Sequence, residues 1–139
     1  MNLTIDSFAW LELIRGTPAG AAVRTALEEA DEASTPSIVL AEVAVVCHRT
    51  GLSDDLVAKE LAAIREASTI VPIDSGVALA GAHALDELRS HARERRLPPP
   101  GLADALILAT ARAERAHLLT GDSHFRGLSE TVWVSQPRT

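Results

Sequence analysis

The chain has 139 residues, of which 47% are hydrophobic, 23% charged and 3% aromatic, with a net charge of −6; this is an ordered globule of one domain's length and excludes a disordered chain, a collagen and a pair of catalytic domains. The net negative charge is opposite in sign to that of proteins that grip nucleic acid by bulk electrostatics, so a phosphate-bearing ligand would have to be held by local groups or bound cations. Cys47 is the single cysteine, which excludes an intrachain disulfide, and the longest apolar run, 38–47, is broken by Glu42 and falls short of the roughly 18–20 residues of a membrane span.

In chain order, Leu3, Thr4 and Ile5 form a short β-prone run ending at Asp6 and Ser7, after which Phe8, Trp10, Leu11 and Ile14 give one helix its apolar side as far as Gly16. Thr17-Pro18 opens a second helix with Ala22, Val23, Ala26 and Leu27 at helical spacing, and Glu28, Glu29, Asp31 and Glu32 read as its solvated end. Ser34-Thr35-Pro36-Ser37 reads as punctuation, with Ser37 as the cap of a helix over 38–48 that is apolar almost all round and closed by Gly51. Ser53 caps a helix over 54–66 with Leu56, Val57, Leu61 and Ile64 as its stripe, and 69–73 is a β-branched strand. A long helix follows from Ser75 to about Arg96, with Val77, Ala84, Leu85, Leu88 and Ala92 inward, until Pro98-Pro99-Pro100-Gly101 stops it. Beyond the break come a mostly apolar helix over 102–116, a strand over 117–120, a turn at Gly121-Asp122 and a last strand over 131–134. Strands alternating with helices predict an α/β fold with a parallel sheet covered on both faces.

In such sheets the usable crevice lies at the carboxyl ends of the strands, and four acids fall there or nearby. Asp6 ends the first strand, Asp122 follows the fourth predicted element of that kind, Asp104 lies in the first turn after the Pro-Gly break, and Glu42 interrupts an apolar helix. Each has an ordinary reading: a helix cap for Asp6, a dipole partner for Asp104, a turn former for Asp122, an exposed helix edge for Glu42. Gathered together without basic partners they would repel one another, raise one another's pKa values and call for a hard divalent cation. Lys59 is the only lysine, and the histidines at 48, 83, 91, 117 and 124 show no zinc spacing. No phosphate-binding glycine loop and no Gly-x-Ser-x-Gly elbow is present, which leaves oxygen ligation of magnesium or manganese. Arg89, Arg93 and Arg96 recur on one helical face and read as solvated and paired with Glu94 and its neighbours, with a phosphate track as the alternative.

The segments Leu3-Thr4-Ile5-Asp6-Ser7, 36–43 around Glu42, 102–111 around Asp104, and Leu118-Leu119-Thr120-Gly121-Asp122 followed by Phe125 resemble, in order and spacing, the PIN-domain nucleases, and among them the VapC-type toxins of toxin–antitoxin modules. The resemblance covers nearly the whole chain and implies a single PIN-like domain over 1–139, built as a three-layer α/β/α sandwich around a parallel five-stranded sheet. It implies that Asp6, Glu42, Asp104 and Asp122 are the catalytic, metal-binding acids, with Asp6 and Asp104 as direct ligands of Mg2+ or Mn2+, and that the Ser7 and Thr120 hydroxyls orient acids or a bound water. It further implies endoribonuclease activity on RNA, a small cognate antitoxin and a homodimer. No membrane association is expected, and with no secretory pattern at the first residues the expected compartment is the cytoplasm. The chain departs from the pattern at His124, where many relatives carry a further Asp, which bears on a second metal site. Two other readings stand beside this one: a PIN-like scaffold that binds without cutting, and an aspartate-phosphorylating phosphatase or receiver-like domain. The latter lacks an acid at Phe8 and a lysine near the last strands.

Overall fold

The computed structural model describes residues 1–134, so the last five residues of the domain expected over 1–139 lie outside the described part. Five strands, β1 (Asn2–Ile5), β2 (Glu32–Pro36), β3 (Thr69–Val71), β4 (His117–Thr120) and β5 (Thr131–Trp133), form one sheet in the order β3-β2-β1-β4-β5. Every pairing is parallel. Six α-helices connect them: α1 (Ser7–Arg15), α2 (Pro18–Glu29), α3 (Ser37–Arg49), α4 (Asp54–Ala67), α5 (Ser75–Glu94) and α6 (Leu102–Ala113). The steps β1 to β2 and β2 to β3 run one way across the sheet and β3 to β4 runs back, so right-handed crossovers place α1 and α2 on one face and α5 and α6 on the other. β1 therefore sits at the centre, buried on both sides: Leu3 and Thr4 as well as Ile5 are inaccessible to solvent or nearly so.

The elements follow local rules. Asp6 caps α1 through the Ala9 N–H, Thr17 caps α2 through that of Gly20, Ser53 caps α4 through that of Leu56 and Asp74 caps α5 through that of Val77. α1 ends at Gly16, whose φ of 68° is the left-handed conformation a glycine adopts without strain. The core is aliphatic, as the scarcity of aromatics predicts: Val23, Val39, Val43, Ile64, Leu88, Ile107, Leu108, Leu118 and Leu119 are all essentially inaccessible. Truncating one of them, for instance Leu118→Ala, carries the ~2–5 kcal/mol cost of a buried cavity.

Four readings of the sequence need correction. The polar segment read as a helix end and punctuation is instead strand β2, and Ser37 is the first residue of α3, which begins at Pro36 without a side-chain cap. The reason is tertiary: β2 lies between β1 and β3, and its hydroxyls are consumed by neighbours, Ser34 Oγ lying 2.8 Å from Thr4 Oγ1 and Thr35 Oγ1 lying 2.7 Å from Ser68 Oγ while accepting the Trp10 indole N–H at 3.1 Å. A buried hydroxyl with a partner costs little, so hydroxyl residues can pass through a sheet interior that their local preference would avoid. α3 is buried along Val39, Val43 and Cys47 only, and Val45 is exposed. Leu56, placed in the α4 stripe, lies outside it in the first turn and is half exposed. The third strand stops at Val71 and the last helix at Ala113, both shorter than their hydrophobic patterns.

Candidate carboxylate site at the carboxyl edge of the sheet

Asp6 is the first residue past the end of β1, and its carboxylate does three things at once. Its Oδ1 accepts the Ala9 N–H at 2.8 Å, its Oδ2 accepts the Thr120 hydroxyl, and its backbone N–H continues the sheet to Leu119 O. The side chain is only 2% exposed, and burial drives its pKa up to about 7; the Thr120 and Ala9 donors lower it, while the charges of Asp122 and Glu42 push it further up. Thr120 ends the neighbouring strand β4, and its oxygen also accepts the Asp122 N–H at 2.9 Å. One hydroxyl thus locks the two central strand ends and two of the four acids to one another.

Glu42 projects from the second turn of α3. Burial raises its carboxyl, the Ser7 hydroxyl works against that rise, and Asp104 and Asp122 add to it. Its Oε1 is buried with no hydrogen-bond partner among the described residues, a state that is costly for a carboxylate unless something else supplies positive charge. Asp104, in the first turn of α6, accepts the Gly101 N–H at 3.0 Å through Oδ2. Its carboxyl is also raised, by burial first, with the Gly101 donor opposing, the Asp122 charge adding and His124 opposing. The apolar N-terminal turn of α3, through Ile38, packs on Val77, Leu106 and Ala109 of α5 and α6, which is what draws Glu42 and Asp104 to the same edge.

Asp122 caps a single 3-10 turn (Ser123–Phe125) whose buried Phe125 anchors the loop in the core. Gly121 precedes it in a space too tight for a side chain: a Cβ there would overlap the Phe8 ring and the Val134 carbonyl. His124 faces Asp122 Oδ1 with Nδ1 at 3.0 Å and the Pro98 carbonyl with Nε2 at 2.9 Å. Burial opposes protonation of the ring, but the Pro98 carbonyl and the charges of Asp122 and Asp104 outweigh it and raise its pKa. The proline-rich loop before α6 is thereby tied to the turn after β4.

All four acids singled out in the sequence therefore meet at one edge, each of Asp6, Glu42 and Asp104 feeling the charge of Asp122. Ser7 and Thr120 are in place beside them. Among the described residues His124 is the only basic side chain in an ion pair with any of the four. Arg89, Arg93 and Arg96 are exposed, and none of them forms the expected pair with Glu94 or any other acid among the described residues. No three His, Cys, Asp or Glu side chains among the described residues stand as a ready-made ligand set, so an ion would be taken up with side-chain rotation. The chemistry of the donors nonetheless fits a hard divalent cation: carboxylate oxygens only, one of them buried and unpaired, in a cluster whose acids are held neutral by one another's charge. The link from His124 to Pro98 is the site feature that sequence reading missed, since nothing in the spacing of 98 and 124 signals it.

The PIN domain profile matches residues 3–130. Among solved structures, the chain is similar to a toxin–antitoxin complex from Klebsiella pneumoniae, at 22% identity over 97% of this chain and 99% of that one with a TM-score of 0.70. It is similar to VapC20 of Mycobacterium tuberculosis, described as a sarcin-ricin loop cleaving toxin, at 16% identity, 97% and 99% coverage and a TM-score of 0.69. A third is VapBC2 of Rickettsia felis bound to a promoter DNA fragment, at 18% identity, 96% and 97% coverage and a TM-score of 0.67. No curated protein sequence matches the chain.

Proposed function

The chain belongs to the PIN domain family, and from that premise we propose that it is a divalent-metal-dependent endoribonuclease, the toxin half of a toxin–antitoxin pair, with Asp6, Glu42, Asp104 and Asp122 as its working acids. The observation that carries the reading is the gathering of four carboxylates at the carboxyl edge of a parallel sheet with no lysine or arginine to neutralise them. A cluster held at such electrostatic cost is useful chiefly to a cation.

Asp6, Glu42, Asp104 and Asp122 would hold Mg2+ or Mn2+, which when bound polarises a phosphoryl oxygen and lowers the pKa of a coordinated water. The chain's own residues do the positioning. Ala9 N–H and the Thr120 hydroxyl fix the plane of the Asp6 carboxylate, and Gly101 N–H fixes that of Asp104. Glu42 Oε1 keeps its lone pairs free, and Ser7 steadies the same carboxyl. Neutralising these charges leaves the phosphodiester of an RNA strand as an approachable ligand for a protein whose net charge would otherwise repel it.

The toxin reading draws on the VapC-type relatives, and with it come a small antitoxin, a homodimer and the cytoplasm as the place of action. No helix among the described residues is long and apolar enough to cross a membrane. The aspartyl-phosphate alternative is disfavoured by Asp6 itself, which is 2% exposed and has both oxygens engaged, so no phosphoryl donor reaches it.

The test is cleavage of a pool of structured RNAs, ribosomal stem-loops included, by purified protein with Mg2+, with Mn2+ and with chelator, beside Asp104→Asn. Discrete products that need the metal and vanish in the variant are expected. Cutting that persists in chelator and in Asp104→Asn would overturn the metal-nuclease reading. Growth arrest on expression of the wild-type chain, relieved by Asp104→Asn, is expected of a toxin and not of a binding scaffold.

A further inference from the structure

The site has an asymmetry in how its oxygens are engaged. Asp122 Oδ1 accepts the backbone N–H of His124 at 2.9 Å and faces the ring Nδ1 of the same residue at 3.0 Å. A carboxylate oxygen offers two lone-pair directions, and here one residue takes both. The ring is held from behind, its Nε2 lying 2.9 Å from the Pro98 carbonyl, so it does not swing aside without giving up that contact. The Asp122 contact requires a proton on Nδ1 alone, which the neutral Nδ1–H tautomer supplies as well as the charged ring does; the engagement of Oδ1 does not depend on the ring's charge.

Sites that hold two divalent ions about 3.5–4 Å apart commonly do so with a carboxylate that gives one oxygen to each ion. At this edge Asp6 has each oxygen committed to a protein donor, Ala9 N–H on one side and the Thr120 hydroxyl on the other, and Asp104 has Oδ2 committed to Gly101. Asp122 would be the remaining bridge toward the side of the site where His124 stands, and its Oδ1 is filled. A single ion asks less: it needs one or two carboxylates and completes its octahedron with water.

Resting on the metal reading above, we propose that His124 is a positioning residue that takes Asp122 Oδ1 out of use and limits this chain's carboxylate site to one divalent ion. The same side chain sets the distance between the turn after β4 and the loop that delivers Asp104.

The experiment is a titration of the full, metal-free chain with Mn2+, read by calorimetry for the count and by electron paramagnetic resonance for coupling between ions, with circular dichroism to confirm the fold. The wild type is expected to take one Mn2+ per chain with the signal of an isolated ion. His124→Asp replaces the donor with a further carboxylate and is expected to take two, with the spectrum of a coupled pair. His124→Asn keeps a side-chain donor close to the Nδ1 position and is expected to remain at one. Two ions in the wild type, a count that needs no variant to fold, overturns the proposal and leaves the metal reading standing; so does a folded His124→Asp that still takes one. Absence of any Mn2+ binding by the folded wild type overturns the metal reading, and the proposal with it.

Discussion

Two clusters of acids in this molecule show how the same side chain is put to opposite uses. At the outer rim, Arg112 of α6 makes a two-pronged contact with Glu87 of α5, at 2.7 and 2.9 Å, and a further contact with Glu130 ahead of β5. The Arg112 bond lowers the Glu87 carboxyl, and it lowers Glu130 in spite of that group's burial. At the carboxyl edge, Asp6, Glu42 and Asp104 have no such partner, and burial raises all three. The rim acids are stabilised as anions by the fold and serve it; the edge acids are anions at the fold's expense and are available to something from outside.

The sharpest way to break this contrast is activity. Asp6→Asn and Asp104→Asn preserve shape and remove charge, and are expected to lower RNA cleavage by about 100-fold or more, ~2.7 kcal/mol of barrier, whereas Glu87→Gln is expected to leave it unchanged; single-turnover cleavage assays on the three variants check this. Equal losses in all three would erase the distinction.

Next in size is Thr120→Val, which removes the donor to Asp6 and the acceptor of the Asp122 N–H in one step. Two buried partners left unpaired cost about 2–4 kcal/mol, to be read as a fall in chemical-denaturation stability that Thr120→Ser restores.

The pH response follows from the signs. Asp6 binds its proton more tightly folded, at about 7 against the ordinary 3.8, so the folded chain holds more protons than the unfolded one across that window, and stability falls as pH rises through it. Glu42, Asp104 and His124 are raised too and act in the same direction. The Arg112-paired acids, being lowered, lose their contribution only in acid, as pH falls through their folded values. The melting temperature of chelated protein is therefore expected to fall by roughly 5 °C or more between pH 5.5 and 8, with Asp6→Asn flattening most of the slope. A wild-type curve that is flat or rises would show Asp6 titrating as an ordinary carboxylate.

The smallest effect is expected at the rim itself. Arg112→Met breaks both ion pairs, but they are partly exposed, and such pairs contribute within ~1 kcal/mol; the change in midpoint should be marginal and shrink further in salt.

Most of this contrast was legible in the sequence at one end and hidden at the other. Asp6, Glu42, Asp104 and Asp122 stood out because each breaks or terminates an apolar pattern, and the helices from Ser7, Pro18, Asp54 and Ser75 announced themselves by caps and periodicity. Strand β2 did not, because Ser34 and Thr35 are suited to a sheet interior only by Thr4, Ser68 and Trp10, residues far away in sequence. For the same reason the reach of His124 to Pro98 and of Arg112 to Glu87 is a product of the assembled fold and not of local preference. The buried Glu12, bonded by the Thr17 hydroxyl, also passed for an ordinary surface acid of α1.

The hydroxyl of Thr120 meets Asp6 across 114 positions of sequence, and that separation has a meaning in time. Synthesis at ~5–20 residues per second puts roughly 6–20 s between the appearance of the two partners. Throughout that interval β1 lacks β4 as its neighbour, the Asp6 carboxylate lacks one of its two donors, and Asp122 does not yet exist. A nascent chain of this protein is thus incomplete at its acidic edge until β4 and the turn beyond it have been made, so the order of manufacture keeps the centre unassembled to nearly the last segment.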